Sequence, residues 1–112
     1  MTRKRGLIIA ILAVLLLSAC NQKAVDDSAL RATIMSPEDE EAVALYKNQC
    51  ISCHAVDLSG KVGPALQNIG STMTEEKINE IIRDGSKGMP SFKKLLEDNE
   101  IEILAGWLAN MK

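Results

Sequence analysis

The chain has 112 residues, of which 46% are hydrophobic and three are aromatic, and its formal net charge is −2. This length allows one small domain. Because the chain has only three aromatic side chains, its core needs additional stabilisation, such as a bound apolar group. The acidic balance argues against nucleic-acid binding, which depends on a basic surface.

The N-terminus has the pattern of an export signal. Basic residues at positions 3–5 precede an unbroken apolar run, Leu7–Leu17, which is too short to span a bilayer comfortably. The run ends in Leu17-Ser18-Ala19-Cys20, which resembles a bacterial lipobox. We therefore expect residues 1–19 to be a lipoprotein-type signal peptide and Cys20 to be the lipidated first residue of the mature chain. An ordinary cleaved signal and an uncleaved membrane anchor are the alternatives.

Lipidation of Cys20 would hold the protein on a membrane, because each buried CH₂ of acyl chains such as palmitate contributes about 0.8 kcal/mol. Without residues 1–19 the chain keeps ten Lys and Arg against fifteen Asp and Glu, a formal charge of −5. Residues 20–35 lack a clear apolar period and are interpreted as a flexible tether that spans roughly 20–25 Å on average. Residues 36–112 form the expected domain.

The domain is predicted to begin with a helix at Ser36-Pro37. Ser36 can cap the helix, Pro37 suits its first position, and the acidic residues that follow favour the positive end of the helix dipole. Apolar residues then recur at helical spacing and lead to a thiol: Ala42, Leu45, Tyr46 and Cys50. We interpret Tyr46 as a core-packing residue.

Cys50-Ile51-Ser52-Cys53-His54 is the attachment signature of c-type haem. Thiols on one helical turn can each add to a vinyl group of the same porphyrin, and His54 is then held under the iron as an axial ligand. A bare Cys-x-x-Cys also fits a redox dithiol or half of a zinc site. A zinc site would need two further ligands, whereas the chain has one His and one other Cys. A redox dithiol of the thioredoxin type would need a strand, and no convincing strand precedes this motif.

Two further helices are predicted downstream. One runs from Thr74 to Asp84 and ends at Gly85. The last begins at Asp98 and carries an apolar side with Trp107 beside it. Gly106 lies within it, where glycine costs about 1 kcal/mol relative to alanine. We hypothesise that a close approach of another helix at this glycine compensates for that cost.

Gly88-Met89-Pro90, between these helices, holds the candidate for the other face of the haem. An iron held by one His needs an open site, a second His or a soft ligand such as Met on its other side. The chain has no second His, and Met89 lies in a short loop between Gly and Pro. Met73 is the alternative, but it lies just before a helix and lacks the flanking pattern.

Together these motifs resemble the class I cytochromes c. Gly63-Pro64-Ala65-Leu66 resembles the Gly-Pro-x-Leu segment that follows Cys-x-x-Cys-His in that family, and Gly88-Met89-Pro90 resembles its Met-Pro ligand loop. The resemblance implies that the Pro64 carbonyl accepts a hydrogen bond from the His54 imidazole, which orients the ring and raises its basicity. It also implies that Met89 is the second axial ligand.

The resemblance covers nearly all of residues 36–112 and implies an all-α fold, with three main helices and loops wrapped around one covalently bound haem c. The first and last helices would cross at close range, with an aromatic contributed by each, Tyr46 and Trp107. One departure is visible, because Ala42 stands where the family often has Gly.

The function implied is single-electron transfer by a monomeric carrier, similar to the small membrane-anchored cytochromes c of bacteria, on the extracytoplasmic face of the cell membrane. Members of this family shuttle electrons from a quinol-oxidising cytochrome bc complex to a terminal cytochrome c oxidase. Four lysines lie near the predicted haem loops and could form a basic rim for docking: Lys61, Lys87, Lys93 and Lys94. The alternative is that these lysines are solvated and have no role in docking. Two other functions stay open, a haem enzyme or sensor with an open sixth position and a haem-free extracytoplasmic dithiol oxidoreductase.

Overall fold

A computed structural model describes residues 25–112, so the predicted signal peptide and Cys20 lie outside the described residues. Within this range the chain forms five α-helices and one 3₁₀ turn at Ile69–Ser71. The helices are α1 (Ser28–Arg31), α2 (Pro37–Gln49), α3 (Ile51–His54), α4 (Glu75–Asp84) and α5 (Asp98–Ala109). Residues 25–112 contain no strand, and α2, α4 and α5 are the three long helices. The predicted all-α class is confirmed.

Helix α2 begins where local chemistry predicts. The Ser36 hydroxyl accepts a hydrogen bond from the Asp39 N–H at 3.1 Å, and the Asp39 carboxylate accepts one from the Ser36 N–H at 3.0 Å. This reciprocal capping box satisfies two of the free N–H groups at a helix start. Pro37 occupies the first helical position.

Helices α4 and α5 also have capped starts. The Thr74 hydroxyl accepts from the Lys77 N–H at 3.3 Å, and Glu97 forms a second capping box with Glu100. Gly85 ends α4 with a φ of +84°, a conformation that glycine adopts without steric cost. Both helices therefore begin within one residue of the predicted positions, and α4 ends at Asp84 as predicted.

The core lies where α2 crosses α5. Side chains from both helices are no more than 1% exposed there: Ala42, Tyr46, Ile101, Leu104 and Ala105. The rings of Tyr46 and Trp107 meet edge to face, with centroids 5.4 Å apart and an interplanar angle of 63°. Such an arrangement is favourable beyond the area it buries.

The close approach to α5 occurs at Gly70 rather than at Gly106. A Cβ on Gly106 would lie 3.6 Å from the Glu75 carboxylate, which is an ordinary contact, so the hypothesis of a helix crossing at this glycine is wrong. A Cβ on Gly70 would instead collide with the backbone carbonyl of Ala109. Gly70 also donates its N–H to the Met111 carbonyl at 2.9 Å, which ties the 3₁₀ turn to the end of α5.

The segment 27–35, assigned to the tether by its pattern, packs on the domain. Leu30 is 0% exposed, and the Trp107 indole N–H donates to the Thr33 hydroxyl at 3.1 Å. The Asp27 carboxylate pairs with Arg31 at 2.8 Å and with Lys47 at 2.6 Å. These contacts show that the packed part of the chain begins before position 36. The sequence did not indicate this, because one buried leucine in a four-residue helix is too little to produce an apolar period.

Candidate functional site

The two thiols and the histidine of the Cys-x-x-Cys-His motif lie on one turn of backbone. Cys50 ends α2, and the N–H groups of Cys53 and His54 both donate to the Cys50 carbonyl, at 3.1 Å and 2.9 Å. All three side chains line the same cleft. Neither thiol forms a disulfide, and each is partly exposed.

The loop after His54 folds back against the imidazole. The Gly60 N–H donates to the His54 carbonyl at 3.0 Å, and the Gly63 N–H donates to the Cys53 carbonyl at 2.9 Å. A Cβ on Gly63 would lie 2.6 Å from Cε1 of the His54 ring, so only glycine allows the loop to come this close.

The loop also determines which nitrogen of His54 faces the cleft with a free lone pair. Nδ1 of His54 lies 2.9 Å from the Pro64 carbonyl oxygen. A carbonyl can only accept a hydrogen bond, so in the neutral imidazole Nδ1 carries the proton and Nε2 keeps a lone pair that can bind a metal. The ring is 7% exposed, which leaves it little freedom to turn.

Met89 comes from a different part of the chain and lines the same cleft. Ser86 and Met89 exchange two backbone hydrogen bonds, at 3.1 Å and 3.0 Å, around a tight turn in which Gly88 has a φ of +79°. This turn presents the partly buried Met89 side chain to the cleft. Met73 also lines the cleft, but it is 38% exposed.

The cleft has a volume of about 390 Å³ and lies between α2, α4, α5 and the two loops. Its inner walls consist of apolar and aromatic side chains: Tyr46, Leu66, Ile78, Ile82, Phe92, Leu96, Leu104 and Leu108. No carboxylate lines it within the described part of the chain, and Lys87 at its edge is its one permanently charged residue. Such a site suits an apolar group bound through sulfur and imidazole donors.

The comparisons with known proteins agree with this geometry. A family model described as "Cytochrome C oxidase, cbb3-type, subunit III" matches residues 37–108. Cytochrome c-551 of Bacillus subtilis (strain 168) is 38% identical over 101 residues, which cover 87% of this chain and 86% of the relative. The chain belongs to the class I cytochromes c.

Two other relatives extend this finding. Cytochrome c-550 of Bacillus subtilis (strain 168) is 32% identical over 113 residues, covering 95% of this chain and 92% of the relative. The menaquinol:cytochrome c reductase cytochrome c subunit of Geobacillus thermodenitrificans is 32% identical over 85 residues, covering 75% of this chain but 33% of that longer protein.

The cofactor of this cytochrome is covalently bound haem c, and Cys50 and Cys53 stand in its attachment motif. The residues present fit the group, since two thiols, an imidazole with a free Nε2 lone pair and a thioether line one apolar cleft. The described residues contain no cluster of three or more His, Cys, Asp or Glu side chains that could hold a zinc ion. The zinc interpretation of the motif therefore has no structural support.

The environment of Cys50 also argues against the redox-dithiol interpretation. Burial raises the pKa of the Cys50 thiol to about 11, and the neighbouring Cys53 adds to the shift. Dithiol oxidoreductases need the opposite, an attacking thiol whose pKa is lowered so that the thiolate is present near neutral pH.

Three features of the site were missed from the sequence. The first is that position 63 must be glycine, because any side chain there would collide with the His54 ring. The place of Gly63 before Pro64 in the family motif could have indicated this. Ala55 adopts a φ of +66° directly after His54, which no sequence signal indicates. The Tyr46 hydroxyl donates to the Ala55 carbonyl at 2.7 Å, so Tyr46 does more than fill the core.

Proposed function

We propose that Cys50 and Cys53 would hold the haem, that His54 and Met89 would be the ligands of its iron, and that the protein is a single-electron carrier. The observation that supports this most directly is the hydrogen bond between Nδ1 of His54 and the Pro64 carbonyl. It leaves Nε2 as the free nitrogen in a cleft that Met89 also lines.

The bound haem supplies an iron that cycles between Fe(II) and Fe(III). Around it, the chain excludes water with apolar walls, holds the imidazole with Pro64 and Gly63, and presents the Met89 thioether from a tight turn. A thioether opposite a histidine raises the reduction potential of a haem. If His54 and Met89 both ligate the iron, no open site would remain on it for a substrate, and this arrangement would suit a carrier.

The absorption spectrum of the oxidised and reduced holoprotein tests the ligand set. We expect a sharp α-band of c-type haem on reduction and a weak sulfur-to-iron band in the red region of the oxidised spectrum. Met89→Ala should abolish the red band, whereas the matched control Met73→Ala should keep it. A c-type spectrum without the red band in the unaltered protein would favour an open-site haem protein, and loss of the band in Met73→Ala would assign the ligand to Met73.

We further propose that the carrier is held on the extracytoplasmic face of the cell membrane by a lipid on Cys20. The export pattern of residues 1–19 supports this proposal, since haem is attached outside the cytoplasm in the systems that this chain resembles. Between residues 25 and 112 no helix is both long and apolar enough to cross a membrane.

Cell fractionation tests the anchor. The unaltered protein should stay with the membrane and release a lipid-modified N-terminal peptide whose mass identifies the acyl groups. Cys20→Ala should abolish the modification. A membrane-bound Cys20→Ala protein that keeps residues 1–19 would instead indicate an uncleaved anchor, and an unmodified, cleaved protein would indicate an ordinary signal peptide.

As redox partners we propose a quinol-oxidising cytochrome bc complex as donor and a terminal cytochrome c oxidase as acceptor. The likeness to the cytochrome c subunit of a menaquinol:cytochrome c reductase supports the donor. Membranes lacking the protein should lose quinol-driven oxidase turnover and regain it with added holoprotein. The haem-free variant Cys50→Ala/Cys53→Ala should not restore turnover, and undiminished turnover without the protein would contradict these partners.

For docking we propose the lysines of the two loops beside the cleft, Lys61, Lys87 and Lys94, of which Lys87 lines the cleft. All three are exposed, and none has an ion-pair partner among the described residues. The fourth predicted lysine, Lys93, is paired with Asp84 at 3.3 Å and is a weaker candidate. Replacing the three lysines by glutamine should flatten the salt dependence of electron transfer. Lys77→Gln, which alters a lysine paired within α4, is the control and should leave it unchanged.

A further inference from the structure

The peptide directly after His54 has an unusual backbone conformation. Ala55 has a φ of +66° and a ψ of 158°, a region that glycine adopts easily and alanine rarely. The side chain of Ala55 is buried, and its N–H still donates to the Ile51 carbonyl at 3.1 Å. The chain therefore turns sharply away from α3 at the residue that follows the imidazole.

The Ala55 carbonyl is held by a group from another helix. The Tyr46 hydroxyl on α2 donates to it at 2.7 Å, an ordinary length for a hydroxyl donor, and the Leu58 N–H donates to it at 3.3 Å. Tyr46 is 0% exposed, and Trp107 packs against its ring. A strained conformation persists only where the surrounding structure enforces it, and the Tyr46 hydroxyl is the side-chain group bonded to this peptide.

The turn that Ala55 begins also carries the contacts of the imidazole. The Gly60 N–H binds the His54 carbonyl, and Gly63 and Pro64 then lie against the ring. A change in the Ala55 peptide would therefore move the loop that holds Nδ1 of His54.

We propose that Tyr46 is a positioning residue for the haem ligand: its hydroxyl holds the Ala55 peptide in the left-handed region and thereby keeps the His54 ring bonded to Pro64. This inference rests on the proposed role of His54 as an iron ligand. It differs from a core-packing role, because a phenylalanine would fill the same space and meet Trp107 equally well. Burial raises the pKa of the Tyr46 phenol above its usual range, so the hydroxyl remains a donor.

Tyr46→Phe in the reduced holoprotein isolates the hydroxyl. The readout is the exchange rate of the His54 Nδ1 proton by NMR, divided by the exchange rate of the slowest amides of α5. Loss of one hydrogen bond that positions the loop should raise this ratio about tenfold. A purely structural role would speed both rates together and leave the ratio unchanged, which would overturn the proposal.

Thr33→Val is the matched control. It removes one hydroxyl, which accepts from the Trp107 indole N–H at 3.1 Å and donates to the Leu30 carbonyl at 2.7 Å, and neither partner belongs to the loop that follows His54. It should lower the overall stability while changing the exchange ratio less than about twofold. An equal rise of the ratio in both variants would mean that any loosening of the aromatic pair exposes the imidazole, and would overturn the specific role of Tyr46.

Ala55→Gly tests the route of the effect. Because glycine adopts a positive φ freely, the turn no longer depends on the hydroxyl, and Tyr46→Phe in this background should change the ratio less than about twofold. An undiminished effect would show that the hydroxyl does not act through the Ala55 peptide. Failure of the proposed ligand set can be told apart from failure of the proposed role of Tyr46. A missing sulfur-to-iron band would contradict Met89 as ligand, and the exchange test on His54 would be unaffected.

Discussion

Two regions of the domain are stabilised in different ways: the helix pair, formed by α2 and α5, and the loop side, formed by residues 55–68 and 85–97. Where α2 meets α5, the chain closes the core with its own side chains, and Ala42, Tyr46 and Ala105 are fully buried. Across the cleft, residues 55–68 and 85–97 contain no helix apart from isolated turns, and Ala55 and Leu58 adopt positive φ values. Much of the cleft wall on this side comes from residues of these two loops, which are outside the helices. The difference indicates that the helix pair depends on packing and the loop side on the cofactor.

The most severe test of this comparison is to remove the covalent links with Cys50→Ala/Cys53→Ala. The loop side then loses the group around which it is built, and a core of this size supplies about 3–5 kcal/mol by itself. We expect loss of covalent haem and of part of the helical circular dichroism at 25 °C, with most of the remaining signal coming from the helix pair. Ser52→Ala, between the two thiols, should keep both. A haem-free variant with full helicity and cooperative unfolding would contradict the dependence of the loop side on haem.

Leu30→Ala tests whether the N-terminal segment belongs to the helix pair. Leu30 is 0% exposed, so truncation should lower the free energy of unfolding by about 3 kcal/mol. Val25→Ala is the control, because Val25 is 64% exposed and its truncation should leave stability nearly unchanged. Denaturant unfolding of the holoproteins measures both. Equal stability of Leu30→Ala and the unaltered protein would restore the interpretation of residues 20–35 as a free tether.

A pair of glycine substitutions tests where α5 is approached closely. Gly70→Ala places a Cβ against the Ala109 carbonyl and should destabilise the protein by about 2 kcal/mol. In Gly106→Ala the added Cβ meets only the Glu75 side chain. This variant should stabilise the protein by up to about 1 kcal/mol, because alanine is the better helix former. Urea unfolding of the two holoproteins gives the sign of each change. Opposite signs are expected, and destabilisation by Gly106→Ala would return the close contact to that position.

The smallest expected effect concerns Asp27, which fastens the N-terminal segment to α2. Hydrogen bonds from Lys47 and Arg31 lower the pKa of the Asp27 carboxyl from its ordinary 3.8 to about 2. A carboxyl whose pKa is lower in the folded state contributes stability above the unfolded pKa, and this contribution is lost as the pH falls through the folded value. Asp27→Asn should therefore be slightly less stable than the unaltered protein at pH 7.

The difference between Asp27→Asn and the unaltered protein should shrink as the pH falls from about 4 to about 2. Thermal unfolding of both proteins at pH 7, 4 and 2.5 measures it, and Lys47→Gln should reproduce part of the loss at pH 7. A difference that is constant across this range would mean that the carboxylate does not stabilise the segment through its charge.

The sequence by itself determined the features that depend on neighbouring residues. Capping at Ser36 and Thr74 and the apolar periods of the long helices identified α2, α4 and α5, because capping and helical periodicity act within a turn or two. The spacing of Cys50, Cys53 and His54 identified the cofactor class, because two thioether links and an axial nitrogen on one turn are a local arrangement.

The tertiary structure alone decided the contacts between distant parts of the chain. Gly70 lies against Ala109, and Thr33 lies 74 positions before Trp107, its hydrogen-bond partner. The roles of Leu30 and of the Tyr46 hydroxyl likewise depend on which surface the folded chain brings opposite them. A local pattern can specify that a residue is apolar, small or able to donate, but its partner is chosen by the path of the whole chain, and that path is set only when the core has closed.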